Sequence, residues 1–134
     1  MALLVGAFLA LAVGALLGTG VGLDRDRAFY PTVAAVVASY YVLFAVMADS
    51  TRALLVETAV AGVFLAVAMA GFRGSLWLAV AALAGHGVFD AIHDRLIVNP
   101  GVPVWWPAFC GAYDVVAAAY LAFLLLRPRQ EQGA

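Results

Sequence analysis

Long apolar stretches separated by short polar segments form the pattern of this chain. Runs of about 20 residues rich in Ala, Val, Leu and Phe alternate with segments that hold Gly, Pro, Asp or Arg. A transmembrane helix needs about 20 consecutive apolar residues. The pattern therefore predicts five transmembrane helices, at about residues 2–22, 29–48, 53–72, 75–98 and 107–126. We expect an all-α polytopic membrane protein, in which residues 1–134 form one compact five-helix bundle with short loops.

The composition agrees with this class and excludes several functions. Hydrophobic residues make up 66% of the chain and charged residues only 11%, against about 25% in soluble domains. Membrane lipid is thus the expected surrounding. The net charge of −1 gives no indication of a nucleic-acid partner. All seven basic residues are arginines, which excludes a lysine Schiff base and the lysine of a phosphate-binding loop.

Small residues recur every fourth position along the first predicted span. They are Gly6, Ala10, Gly14, Gly18 and Gly22. Such a ridge lets two helices approach closely. It serves either contact with another helix of the same chain or the seam of a homo-oligomer, and the first use is the more common one.

The distribution of arginines predicts the orientation. Five of them lie in the first loop, the third loop and the C-terminal tail, at positions 25, 27, 73, 127 and 129. Only Arg52 and Arg95 lie in the other two loops. Positive residues favour the cytoplasmic side, so we expect the N-terminus outside and the C-terminus in the cytoplasm of a bacterial-type inner membrane.

Ionisable residues inside the predicted spans are the candidate functional groups, because they are costly in hydrocarbon. Helix rise places His86 ~16 Å and Asp90 ~22 Å into the fourth span, and Glu57 ~6 Å and Asp114 ~10 Å below the outer ends of theirs. If these four side chains face each other inside the bundle, they avoid the free-energy cost of contact with lipid. The sequence therefore predicts a polar pocket between spans three, four and five, opening outward beneath the Trp-Trp loop. Its further lining is expected from Tyr41, Asn99, Trp105, Trp106 and Tyr113.

The fourth span carries a pattern typical of metal ligands. His86, Asp90 and His93 fall within an arc of about 60° on one helical face, and Asp94 lies just beside it as a helix-end residue. Imidazole and carboxylate ligands suit zinc or iron. Haem is disfavoured, because both histidines lie on one helix. The single cysteine, Cys110, is expected to be a small buried hydrophobe.

These residues support three classes of function. The first is a membrane enzyme in which His86, Asp90, Glu57 and Asp114 are catalytic. It would be a metal-dependent hydrolase or an acid–base isomerase acting on a lipid-like or small hydrophobic substrate. The second is an ion- or proton-conducting or small-molecule-binding module. The third is a structural or accessory subunit whose polar network only fixes helix packing.

Overall fold

The computed structural model describes residues 1–127, which fold into five helices without a strand. The predicted all-α five-helix bundle is confirmed. Residues 128–134, including Arg129 of the predicted cytoplasmic tail, lie outside the described residues. The helices are α1 (Ala2–Ala12, continued by a π-helix, Val13–Gly20), α2 (Phe29–Met47), α3 (Thr51–Arg73), α4 (Trp77–Leu96) and α5 (Trp106–Leu126).

The helix ends follow from local chemistry. Gly22 adopts a left-handed conformation with φ of 90° after the first helix, which glycine reaches without strain. The Ser50 hydroxyl accepts the Ala53 N–H at 3.3 Å and caps α3. Helix α4 ends at Leu96, two residues earlier than predicted, because Ile97 is extended. The extended backbone allows Asn99 to turn back into the bundle, where its side chain is buried.

The helices pack in the order α1, α5, α4, α3, α2, and α2 also contacts α4 and α5. Helices α2 to α5 therefore form a closed group, and α1 lies outside it against α5. Alanines occupy many of the closest contacts and are almost fully buried; among them are Ala45, Ala53, Ala68 and Ala79. Small side chains are typical of helix interfaces in membranes, where they bring the backbones together.

The small-residue ridge of the first helix is used inside the chain. A Cβ at Gly6 would collide with the Phe109 carbonyl oxygen, and one at Gly14 would lie 2.9 Å from the Tyr120 ring. Both glycines face α5 and are buried. The ridge thus makes the intramolecular contact, the first of the two predicted uses.

Four of the five helices are long and apolar enough to cross a membrane: the first helix with its π-helical continuation, α2, α3 and α5. Helix α4 runs parallel to α2. Arg27, before α2, donates to the carbonyl of Gly74, just before α4, whereas Asn99, after α4, donates to the Tyr41 carbonyl. The outward face of α4 is apolar, with Trp77, Val88 and Ile92 exposed. Its histidines and Asp90 face inward.

Candidate metal centre

The inner face of α4 carries the buried polar groups of the bundle. His86, Asp90 and His93 are each at most 2% exposed. Their spacing of four and three residues places them on one face of the helix, and that face packs against α3 and α5. The carboxylates reach this face from neighbouring helices, Glu57 from α3 and Asp114 from α5, and both are buried.

Four side chains from two helices converge in what we call the His86 cluster: His86, Asp90, Cys110 and Asp114. His86 Nδ1 lies 2.6 Å from Asp114 Oδ2 and 3.5 Å from Asp90 Oδ2. The Cys110 thiol lies one helical turn before Asp114 and contacts the same Oδ2 at 3.8 Å. Each of the four residues offers a ligand atom, and these atoms all lie within 4.8 Å of one another.

A second group, the His93 cluster, consists of His93, Glu57 and Asn99. His93 Nε2 lies 2.8 Å from Glu57 Oε1, and Asn99 Nδ2 donates to the same oxygen at 2.9 Å. The opposite ring nitrogen of His93 lies 3.3 Å from Asp94 Oδ1. The Asp94 side chain is 79% exposed, so His93 connects a buried carboxylate with one at the surface.

Tyr41 of α2 connects the two clusters. Its hydroxyl donates to Asp90 Oδ1 at 2.6 Å, and its ring stacks on the His93 imidazole with centroids 4.0 Å apart. Its backbone carbonyl accepts from Asn99 at 3.0 Å. The residue is 1% exposed. Three parts of one tyrosine therefore fix the relative positions of α2, α4 and the α4–α5 connection.

Several carboxylate oxygens of the clusters are buried without a hydrogen bond among the described residues. They are Asp90 Oδ2, Asp114 Oδ1 and Glu57 Oε2. Such groups carry a desolvation cost of about 1–3 kcal/mol, more when charged. Their orphaned state makes these oxygens available to a cation.

The charge of the His86 cluster is unbalanced without a further positive group. Asp90 and Asp114 carry two negative charges when ionised, and His86 can supply at most one positive charge. Within residues 1–127, the buried polar and charged side chains include no arginine. A buried site of this kind requires either a proton held on one carboxyl group or a bound cation.

The dimensions of the His86 cluster are close to those of a metal site. Zinc binds nitrogen and oxygen at about 2.0–2.2 Å and sulfur at about 2.3 Å, so tetrahedral ligand atoms lie about 3.3–3.8 Å apart. The observed limit of 4.8 Å is wider by about 1 Å. Side-chain rotations would have to draw the outermost atoms inward and move His86 Nδ1 away from Asp114 Oδ2, which lies at 2.6 Å.

The His86 cluster contains two of the three predicted ligands, His86 and Asp90, together with Asp114 and Cys110. The metal set was expected to be His86, Asp90 and His93, but His93 pairs with Glu57. The helix rise between the histidines, ~10 Å, separates them too far for a compact site. Cys110, expected only to pack, joins the cluster instead. Its position one turn before Asp114 was the available sequence indication.

The residues predicted to line an opening beneath the Trp-Trp loop are divided between two places in the structure. Asn99 fills that region, and Gly101 lies directly against the Phe44 carbonyl. Trp105 is exposed and lies outside both clusters, whereas Trp106 packs on Tyr40 and Phe44. A cavity of about 650 Å³ lies elsewhere, between α1, α2 and α5. Trp106 and Tyr113, two of the predicted lining residues, contribute to its wall.

Comparison with known proteins gives no relative from which a function could be transferred. No protein-family model, no curated protein and no solved structure matches this chain. The functional argument therefore rests on the membrane-like helical bundle and on its buried His/Asp/Cys cluster, which could hold a metal ion.

Proposed function

We propose that this protein is a metal-dependent membrane enzyme, a hydrolase, that binds one divalent ion through His86, Asp90, Cys110 and Asp114. The convergence of the four ligand atoms within 4.8 Å carries the proposal. The orphaned oxygens of both aspartates support it. Two ionised aspartates and a Cys110 thiolate would carry three negative charges, of which a divalent ion would offset two.

Zinc or iron(II) fits this ligand set best. Nitrogen, sulfur and carboxylate oxygen together suit these borderline metals, whereas calcium and magnesium prefer oxygen alone. Four protein ligands fill a tetrahedral site, so activation of a coordinated water as a nucleophile would require the ion to take a fifth ligand. The expected substrate is lipid-like or a small hydrophobic molecule, since four of the five helices in the bundle around the site are apolar enough to cross a membrane.

The other buried polar residues have positioning roles in this proposal. Tyr41 orients Asp90 through its hydroxyl. The His93 imidazole stacks on the Tyr41 ring, and Asn99 donates to both Glu57 and the Tyr41 backbone carbonyl. Groups that orient a metal ligand commonly contribute 10- to 100-fold to metal affinity or activity. Glu57 does not contact the His86 cluster directly, so we assign it this supporting role.

Metal analysis of the purified protein tests the proposal. After growth with zinc and iron, wild-type protein should contain about one metal ion per chain. His86→Gln and Asp114→Asn should lose most of it, while Asp94→Asn, an exposed control, should keep it. Folding of every variant is checked by circular dichroism and gel filtration. A folded wild-type protein without metal, or equal metal in His86→Gln, would contradict the proposal.

Metal removal gives a second readout of the same site. A chelator should lower the Tm of wild type, because an ion that binds only the folded state at 100 times its Kd stabilises by about 2.7 kcal/mol. Added zinc should restore the Tm. The Tm of His86→Gln should not respond to either treatment.

A metal-free proton-transfer site is the second candidate, and His93 favours it. This imidazole lies between exposed Asp94 and buried Glu57, as a proton relay from the surface requires. Proteoliposomes with wild type or Asp90→Asn would separate conduction from catalysis. A proton flux that Asp90→Asn abolishes, in protein without metal, would favour this candidate. Equal fluxes would count against it.

A further inference from the structure

A long apolar groove leads from the surface of the bundle to the His86 cluster. It has a volume of about 650 Å³, within the range of ligand-binding cavities. Its walls come from α1, α2 and α5, and its lining includes Cys110. Cys110 is thus shared by the groove and the candidate metal centre. A second cavity, between α2 and α3, touches no member of the cluster.

The shape and lining of the groove fit an extended hydrocarbon chain. On α2 the lining runs from Phe29 to Tyr40, which corresponds to about 16 Å of helix rise. Leu9 and Val36 line it and are about half exposed. Because this outer surface of the bundle is apolar, the groove opens sideways toward the lipid.

The two ends of the groove differ in polarity. Arg25 and Asp26 lie at one end. At the other end lies Trp106, which is 9% exposed and whose indole Nε1 has no hydrogen-bond partner among residues 1–127. This nitrogen is itself shielded from solvent, so it is not open to the groove. Cys110 lies one helical turn after Trp106, so the candidate metal centre adjoins this end of the groove.

We propose that the groove binds one acyl chain of a membrane lipid, with the carbonyl group at Trp106 and Cys110 and the chain end near Phe29. For the chemistry at the carbonyl, this inference rests on the proposed metal-dependent function. It assigns the substrate class as an acyl lipid and the route of access as lateral, between α1 and α2.

Photocrosslinking in vesicles tests the position of the chain. Phospholipid probes carry a diazirine either at the end of one acyl chain or next to its carbonyl, and the labelled residues are mapped by mass spectrometry. The chain-end probe should label α2 around Phe29 and Val33. The carbonyl-proximal probe should label α5 around Trp106 and Tyr113. An exchange of the two labelled regions would overturn the assigned orientation.

Two matched tryptophan variants separate the groove from the general lipid surface. Val33→Trp fills the groove, whereas Val63→Trp adds the same bulk to an exposed position of α3. Groove labelling should fall at least about tenfold in Val33→Trp, equivalent to about 1.4 kcal/mol of binding free energy, and stay unchanged in Val63→Trp. Labelling spread over the exposed helices and equal in both variants would overturn the proposal.

Metal content of the same samples distinguishes this inference from the proposed function. Val33→Trp should keep its metal, because the substituted residue does not belong to the His86 cluster. Specific groove labelling in a protein without metal would retain the lipid groove and remove the proposed catalysis. Bound metal with unspecific labelling would do the opposite.

Discussion

Tyr41 is the residue on which the two polar clusters depend. Its hydroxyl, ring and carbonyl contact Asp90, His93 and Asn99, respectively. Since all of these groups are buried, water cannot replace a lost contact. The cost of removing one is therefore larger than at the surface.

Tyr41→Phe should lower stability by about 1–3 kcal/mol, because it leaves Asp90 Oδ1 buried without its donor. The measurement is thermal unfolding in detergent. Tyr40→Phe is the matched control: the neighbouring Tyr40 packs its ring on Trp106 and makes no hydrogen bond with its hydroxyl among residues 1–127. An equal Tm for both variants would show that the Tyr41 hydroxyl contributes no stability.

At the level of elements, facing glycines set the distance between α4 and α5. A Cβ at Gly87 would lie 2.8 Å from a Val115 methyl carbon and 3.1 Å from the Gly111 carbonyl oxygen. A Cβ at Gly111 would lie 3.3 Å from Asp90 Cβ. The two glycines thus bring together the helices that supply the four residues of the His86 cluster.

Gly87→Ala should separate α4 from α5 and reduce metal affinity, with a loss of stability of about 1–3 kcal/mol from overpacking. Gly62→Ala is the control, because a Cβ at this α3 position has open space around it. Zinc titration and thermal unfolding measure the two effects. Unchanged zinc affinity in a folded Gly87→Ala protein would contradict a role of this contact in the site.

At the level of the whole molecule, the orientation in the membrane is a testable prediction. Ser75 and Val104 are exposed at opposite ends of the bundle, and the arginine distribution predicts that Val104 faces outward. In intact cells, a membrane-impermeant maleimide should label Val104→Cys but not Ser75→Cys. Wild type serves as the control, because its Cys110 is buried. Labelling of Ser75→Cys alone would reverse the orientation.

The sequence predicted the fold well, because hydrocarbon imposes strong local constraints on a spanning chain. Backbone groups in a membrane must be satisfied within each helix, so the apolar runs alone indicate the helices. The observed helix ends lie within about two residues of the predicted ones, for example Phe29–Met47 and Trp106–Leu126, which is the usual uncertainty of such boundaries.

The polar residues of the candidate site were also visible in the sequence. Glu57, His86, Asp90, His93 and Asp114 are ionisable groups in otherwise apolar spans, and all five are buried in the structure. Their burial was predictable because each would be costly in contact with lipid. Helical periodicity further placed the three α4 residues on one face.

Only the tertiary structure decided how these groups pair and where a ligand could enter. Contacts such as that of Gly87 with Gly111 set the rotation and separation of the helices. The helix packing pairs Asp114 with His86 and Glu57 with His93. The same packing brings in Cys110 and leaves the apolar groove beside α1. Periodicity along one helix determines which face a residue occupies, but the partner across that face depends on how two helices pack together.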